Sequence, residues 1–327
     1  MSAPTVGRLL ARPPIGRFAP SPTGDLHVGS ALAALAAWAS VRRAGGRFVL
    51  RVEDLDGPRD VPGATERQTD SLRRLGLDWD AGPDVGGPDG PYRQSERGPV
   101  YDAALRGLAA AGRLFACRRS RRDLAALATA PHGPDDGPPY PADWRTPPLT
   151  RDELDGLTDA AVRFRVAPGL VRFHDRVQGD ITENVAEAVG DVILRRRDGV
   201  VAYQLAVVVD DAAMGVTEVV RGADLLSSTA RQIQLVEALG ARVPAYAHVP
   251  LLVSPNGEKL SKRDGALGVP ALLGAGVPPE ALVGWLAGVL GHDDQPQTPA
   301  EFAASFDWAR VPRGPVAVPP DLADRLR

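Results

Sequence analysis

Apolar and polar positions alternate in blocks along this 327-residue chain. Ile15 to Ala19 is a short apolar run ended by Pro20-Ser21-Pro22-Thr23-Gly24. Two prolines and a glycine cannot continue a β-ladder, so the run reads as a strand and the cluster as a turn. Residues 1–14 before it read as a loose tail. Apolar residues then dominate from Leu26 to Val41, with Arg42 and Arg43 in the last turn and Gly45-Gly46 as a stop. Those are helix-end signals. Arg47 to Val52 reads as a second strand, running into Glu53-Asp54-Leu55-Asp56, and Pro62 to Leu75 as a second helix. This β-α-β-α alternation predicts an α/β fold with a parallel sheet covered by helices.

The texture changes near Gly112. His132 to Pro148 is rich in Pro, Gly and Asp and shows neither helical nor strand periodicity, which predicts a loop-bearing insertion. Strand-like stretches return at Val162 to Val166, Val192 to Arg197 and Val200 to Val209. A helix is expected over Ser227 to Leu239 and a strand over His248 to Val253. Beyond Val269 the apolar spacing is helical with Pro-rich breaks, at Ala281 to Leu290 and Ala300 to Trp308. The chain therefore divides at about residues 111, 190 and 255.

Composition narrows the function. Hydrophobic residues make up 44% of the chain, enough for a sizeable core, while the net charge is only −3. No global basic field marks a nucleic-acid binder, so any RNA contact must use local arginine clusters such as Arg118, Arg119, Arg121 and Arg122. The single cysteine, Cys117, excludes an internal disulfide and fits a reducing compartment. The apolar stretch Ala31 to Val41 is too short to span a bilayer. No signal-peptide pattern is seen. A soluble cytoplasmic protein with no membrane partner is expected; oligomeric state leaves no trace in the sequence.

Two segments carry chemistry. Only two of the 38 basic residues are lysine, and both fall in Lys259-Leu260-Ser261-Lys262-Arg263. Lysine is a compact point charge where arginine is a planar fork, so a chain that keeps lysine only here points to a phosphate at this place. The other segment is Arg17-Phe18-Ala19-Pro20-Ser21-Pro22-Thr23-Gly24-Asp25-Leu26-His27-Val28-Gly29: strand, tight turn, helix start. In open parallel sheets ligands bind at the carboxyl ends of strands, and a helix N-terminus directs N–H groups at an anion. His27 at that point can donate to a phosphate oxygen, and Gly29 lets a flat ring approach the backbone. Neither a Walker-type P-loop nor a Gly-x-Gly-x-x-Gly pattern occurs.

Together these segments resemble the two signature motifs, HIGH and KMSKS, of class I aminoacyl-tRNA synthetases. Phe48 to Asp56 and Val220-Arg221-Gly222-Ala223-Asp224-Leu225-Leu226 are similar to the strand and the substrate loop of the glutamyl branch. The resemblance covers about residues 15–265. Three features resemble the shortened glutamyl-queuosine tRNA(Asp) sub-branch. The chain ends about 60 residues after the lysine motif, without room for an anticodon-binding domain. Ser30 holds the fourth HIGH position. The segments Val61-Pro62-Gly63, Phe173 to Gly179 and Ala202 to Asp211 look like that sub-branch.

The resemblance implies a Rossmann-type catalytic domain, its first half in residues 1–111 and its second in 191–255. Between them lies an inserted acceptor-type subdomain, 112–190. The KMSKS loop and a short C-terminal helical region fill 256–327. It further implies tRNA-independent activation of L-glutamate with ATP and Mg²⁺, then transfer to the cyclopentenediol ring of queuosine in tRNA(Asp). The alternative is a truncated glutamyl-tRNA synthetase charging tRNA(Glu). Glutamate, with two carboxylates and an ammonium, would be held by Arg17, Arg221 and Glu53. Ser21 and Tyr203 would add neutral hydrogen bonds, and Phe18, Ala19 and Pro20 would form the wall. ATP would meet His27, Gly29, Ser30, Lys259, Leu260, Ser261 and Lys262, with His27 and Lys262 catalytic. One departure stands out. Where the sub-branch often has a zinc knuckle, this chain has Cys117, Arg119, Tyr140 and Trp144. Those residues cannot supply four good ligands, so zinc is not expected.

Overall fold

The computed structural model describes residues 12–120, 123, 139–258 and 267–327. Lys259, Leu260, Ser261 and Lys262 of the lysine motif lie outside the described residues, as do Arg121, Arg122, most of the tail and residues 132–138 of the Pro-rich loop.

The opening alternation folds as β1 (Ile15–Phe18), α1 (Val28–Arg43), β2 (Arg47–Leu50) and α2 (Ala64–Arg74). β1 lies parallel to β2, with Ile15 opposite Arg47 and Phe18 opposite Leu50. On its other side β1 pairs with β8 (Glu218–Gly222), followed by β9 (Ala245–Val249) and the hairpin β5 (Val171–Asp175) and β6 (Gly179–Glu183), in the order β2-β1-β8-β9-β5-β6. Five strands are parallel; β6, at the edge, is antiparallel to β5.

α1 is buried from Ala31 through Val41. A helix apolar on all sides must be covered on all sides. The sheet takes one face; α7 (Pro279–Val289) and α8 (Pro299–Ser305) take another, so the expected C-terminal helical region completes the core around α1. Gly16 lets α1 lie close against β1, since a Cβ there would stand 2.5 Å from Val41 Cγ2. The final segment returns to pair β11 (Val316–Ala317) with β10 (Leu252–Val253).

A separate antiparallel sheet joins β3 (Leu114–Cys117), β4 (Ala161–Phe164) and β7 (Val192–Arg195). Strand pairing thus crosses the expected boundary at 190: β7 joins the insertion's sheet, whereas the hairpin β5–β6 extends the main one. α3 (Gly98–Ala110) connects the two regions.

Three expectations are corrected. Val200 to Val209 is not a strand: its second part lies in helix α4 (Tyr203–Ala213). A continuous apolar run fits a buried helix as well as a strand, and Leu205 through Asp211 are all buried here. Val220 and Arg221 are not in a loop; they belong to the central strand β8, and the irregular segment begins only after Gly222. The strand expected over His248 to Val253 is split into β9 and β10 around Pro250, which lacks the N–H a ladder needs.

Candidate active site

A cleft of about 870 Å³ opens at the carboxyl ends of β1, β2 and β8. Its lining includes Arg17, Phe18, Ala19, Pro20, Ser21, Glu53, Tyr203 and Arg221, together with His27, Gly29 and Ser30. Every described residue singled out for glutamate or ATP is thus brought to one place. Topology explains it: β1 and β2 end side by side, and α1 starts immediately after the turn that follows β1.

That turn is held from behind. Gln68 on α2 donates through Nε2 to the carbonyls of Ser21 (3.1 Å) and Gly24 (2.7 Å). The chain leaving β2 runs along it, with Glu53 N–H donating to Pro20 O at 3.0 Å. His27 is the N-cap of α1, its Nδ1 accepting from Gly29 N–H at 3.4 Å. The ring proton of the neutral imidazole then resides on Nε2. A Cβ on Gly29 would meet only His27 Nδ1, at 3.9 Å, so packing within the protein does not require glycine there. Just beyond the lysine motif, Gly268 pairs with His27 in an isolated antiparallel bridge, and Val269 N–H donates to Leu26 O at 2.8 Å. The chain at Gly268, five residues beyond the motif, is therefore anchored beside His27.

The floor is a charged network built on Arg51, Asp210 and Asp211, to which sequence reasoning gave no role. Arg51, wholly buried, donates to Asp211 (2.7 Å) and Glu53 (3.1 Å) and lies 3.7 Å from Asp210. Arg17 donates through Nε to Asp211 at 3.3 Å and through Nη1 to Val220 O at 3.0 Å. Asp210 in turn accepts from Arg97 (2.5 Å), Gln94 (2.8 Å) and Tyr101 (2.8 Å). Burial alone would push the Asp211 carboxyl up, but Arg17 and Arg51 together hold it below its ordinary value. Burial pushes the Glu53 carboxyl up, partly offset by Arg51, and pushes the Tyr203 hydroxyl up as well. The signals for this floor were charges inside apolar runs: Arg51 in Phe48-Val49-Leu50-Arg51-Val52, and Asp210-Asp211 after Ala206-Val207-Val208-Val209. Such charges are buried only when paired.

Arg221 differs from its neighbours. Its Nε donates to His248 Nε2 (3.0 Å) and its Nη2 to Thr229 Oγ1 (2.9 Å). Its Nη1 is buried and has no hydrogen-bond partner among the described residues. Unlike Arg17 and Arg51, it makes no ion pair with a carboxylate among the described residues. A buried guanidinium in this state can receive an anion, because a free donor there costs free energy until it is matched.

The four positions of the degenerate knuckle lie together elsewhere. Cys117 is buried at the end of β3, and Tyr140 packs between Phe115 (centroids 5.7 Å) and Trp144 (5.8 Å). Arg119 lies over Trp144 at 4.7 Å, so it is engaged in packing as well as exposed. Among the described residues no group of three His, Cys, Asp or Glu could hold a metal ion. No described helix is long and apolar enough to cross a membrane.

Comparison with known proteins agrees with this geometry. Residues 15–310 match the family model for the catalytic domain of class I tRNA synthetases (E and Q). A protein of Symbiobacterium thermophilum named Glutamyl-Q tRNA(Asp) synthetase is 51% identical over 317 residues, covering 95% of this chain and 98% of the relative. One of the same name from Nitratidesulfovibrio vulgaris is 47% identical, with the same coverage. The crystal structure of a glutamate-tRNA synthetase from Elizabethkingia anophelis superposes with a TM-score of 0.81 at 28% identity, over 95% of this chain and 69% of that one.

Proposed function

Since the chain belongs to the class I tRNA synthetases of the glutamate and glutamine type, we propose that its cleft activates L-glutamate with ATP and passes the glutamyl group to queuosine in tRNA(Asp). The observation that carries the first half is Arg221: a buried guanidinium, in the cleft, with an unmatched Nη1. Arg221 takes one carboxylate of glutamate and Arg17 the other, while Glu53, pinned by Arg51, faces the ammonium. Ser21 and Tyr203 add neutral hydrogen bonds. The second half rests on the shared name of relatives that match nearly the whole chain.

Adenylation needs little proton chemistry, because the attacking carboxylate is already ionised at neutral pH. The protein's work is in-line positioning and neutralisation of charge on the phosphates. The Nε2–H of His27 and the ammonium of Lys262 serve that end, with Lys259, Leu260 and Ser261 shaping the loop that closes over ATP. Magnesium enters with ATP as part of the substrate. The adenine approaches over Gly29 and Ser30.

The test has two stages. ATP–pyrophosphate exchange should proceed with glutamate and no tRNA, and Lys262→Arg should lower it by at least about tenfold while leaving thermal melting unchanged. Labelled glutamate should then pass to tRNA(Asp) carrying queuosine and not to the same tRNA with guanosine, whose base lacks the hydroxylated ring. Charging of tRNA(Glu) at its 3′ end would overturn the acceptor; exchange that requires tRNA would overturn the tRNA-independent activation.

A further inference from the structure

Behind Arg221 lies a buried polar cluster that the chemistry above does not use. Asp175, at the end of β5, and His248, on β9, are both completely buried. His248 Nδ1 stands 2.6 Å from Asp175 Oδ2. The other oxygen, Oδ1, accepts backbone N–H bonds from Gln178 (2.8 Å), Val177 (3.0 Å) and His248 itself (3.2 Å). On its far side, His248 Nε2 meets Arg221 Nε at 3.0 Å and Thr229 Oγ1 at 3.2 Å.

The polarity of this chain is fixed from both ends. Arg221 Nε is always a donor, so His248 Nε2 must accept. The ring's proton is then on Nδ1 and is donated to Asp175, an ionised carboxylate held at about pKa 2. The Thr229 hydroxyl can donate to the same Nε2 and accept from Arg221 Nη2 with no donor facing a donor. Burial keeps the imidazole below its ordinary pKa despite Asp175, which preserves Nε2 as an acceptor.

We infer that Asp175 and His248 are positioning residues for Arg221, fixing its guanidinium so that the unmatched Nη1 is presented to a substrate carboxylate. The arrangement occupies Nε and Nη2 and anchors the arm through a neutral acceptor. A carboxylate in direct contact would instead have neutralised the guanidinium and competed with substrate. Distance does the rest: Asp175 is one imidazole away from the cation, so it orients Arg221 without occupying its donors. This inference rests on the reading of Arg221 as a carboxylate receptor.

The experiment begins with the wild-type protein. Nitrogen NMR of the imidazole rings, feasible with five histidines in the chain, should show His248 neutral with its proton on Nδ1. Asp175→Asn keeps an oxygen for the backbone N–H groups but places an amide N–H₂ against Nδ1. The ring should then switch to the Nε2–H form and confront the Arg221 N–H. We expect the KM for glutamate in pyrophosphate exchange to rise by about tenfold or more, with the KM for ATP and the melting temperature little changed. Thr229→Val, which removes the Nη2 acceptor, should raise the same KM by a few-fold and gives an answer even if Asp175→Asn does not fold. A wild-type ring protonated on Nε2 overturns the inference, as does a glutamate KM within about twofold of wild type in the variants that fold. A wild-type enzyme that activates no glutamate would overturn the reading of the site instead, and the ring resonances would still decide the orientation network.

Discussion

The floor of the cleft and the inserted sheet both enlist arginine, and they do it by different means. In the floor, Arg51 is matched by charge, with Asp211 at 2.7 Å, Glu53 at 3.1 Å and Asp210 at 3.7 Å. In the insertion, Arg163 lies 4.1 Å over Tyr140, Arg119 lies 4.7 Å over Trp144 and Arg165 lies 5.4 Å over Phe115. The first arrangement uses arginine as a cation matched by three carboxylates beside the cleft. The second uses it as a flat plate that covers aromatic faces and keeps its edge for backbone carbonyls, as Arg163 does with Asp191 O at 2.6 Å. A matched buried charge fails badly when one partner is removed, whereas a stacked plate loses only its contact.

The largest effect should follow Arg51→Met. It leaves Asp210, Asp211 and Glu53 short of a cation, and denaturant unfolding should show a loss of about 3–5 kcal/mol. A loss below about 1 kcal/mol, the scale of an exposed pair, would erase the distinction between the two regions.

Acid should act next, on the cluster behind the cleft. The folded Asp175 carboxyl sits at about 2 against an ordinary 3.8. A depressed carboxylate contributes stability that is present above its unfolded value and lost as pH falls through the folded one. That contribution, about 2 kcal/mol, should disappear between about pH 4 and pH 2. His248, held below 6.5 by burial, adds a loss of the same sign as pH falls below its unfolded value, since the unfolded chain takes up the proton first. The Tyr140 hydroxyl, pushed up by burial, stays neutral throughout. Unfolding free energies of the wild type and of Asp175→Asn, followed from pH 7 to about pH 2, should converge at the acid end.

The smallest effect belongs to the insertion. Tyr140→Leu keeps apolar volume but removes the ring between Phe115, Trp144 and Arg163, and should cost about 1–2 kcal/mol. Pyrophosphate exchange with glutamate should stay within about twofold of wild type. Dialysis against a chelator should change neither value. A drop in stability with about one equivalent of zinc released would mean that Cys117 had recruited ligands outside the described residues and that a metal, not stacking, holds this region.

Much of the site was legible because it is local in sequence. Strand, Pro-Ser-Pro-Thr-Gly turn and helix start follow one another between Ile15 and His27, and the turn chemistry alone places His27 at the N-terminus of α1. Glu53 could be set beside it because parallel β1 and β2 must end on the same side. Tyr203 was harder. Its segment reads as a strand by residue type, since Val207, Val208 and Val209 are β-branched, yet it folds as helix α4 because burial against α3 and the helix Thr229–Ala238 overrides local preference.

By itself the sequence determined the parallel sheet, the turn at the end of β1 and the residue types needed for a zwitterionic amino acid and a nucleotide. Periodicity and turn chemistry act over a few residues, so they can be read from a string. Which charges meet was decided only by tertiary structure. Asp211 reaches Arg17 across 194 residues of chain and Arg51 across 160, and His248 reaches Asp175 across 73. No local pattern records such pairings. They are set by strand order, with β8 inserted between β1 and β9, and by the rule that a buried charge must find a partner wherever the fold brings one near. Arg221 makes the point most sharply. The sequence singled it out as a cation for glutamate, and only the packed structure showed which of its donors are taken and which has no partner among the described residues.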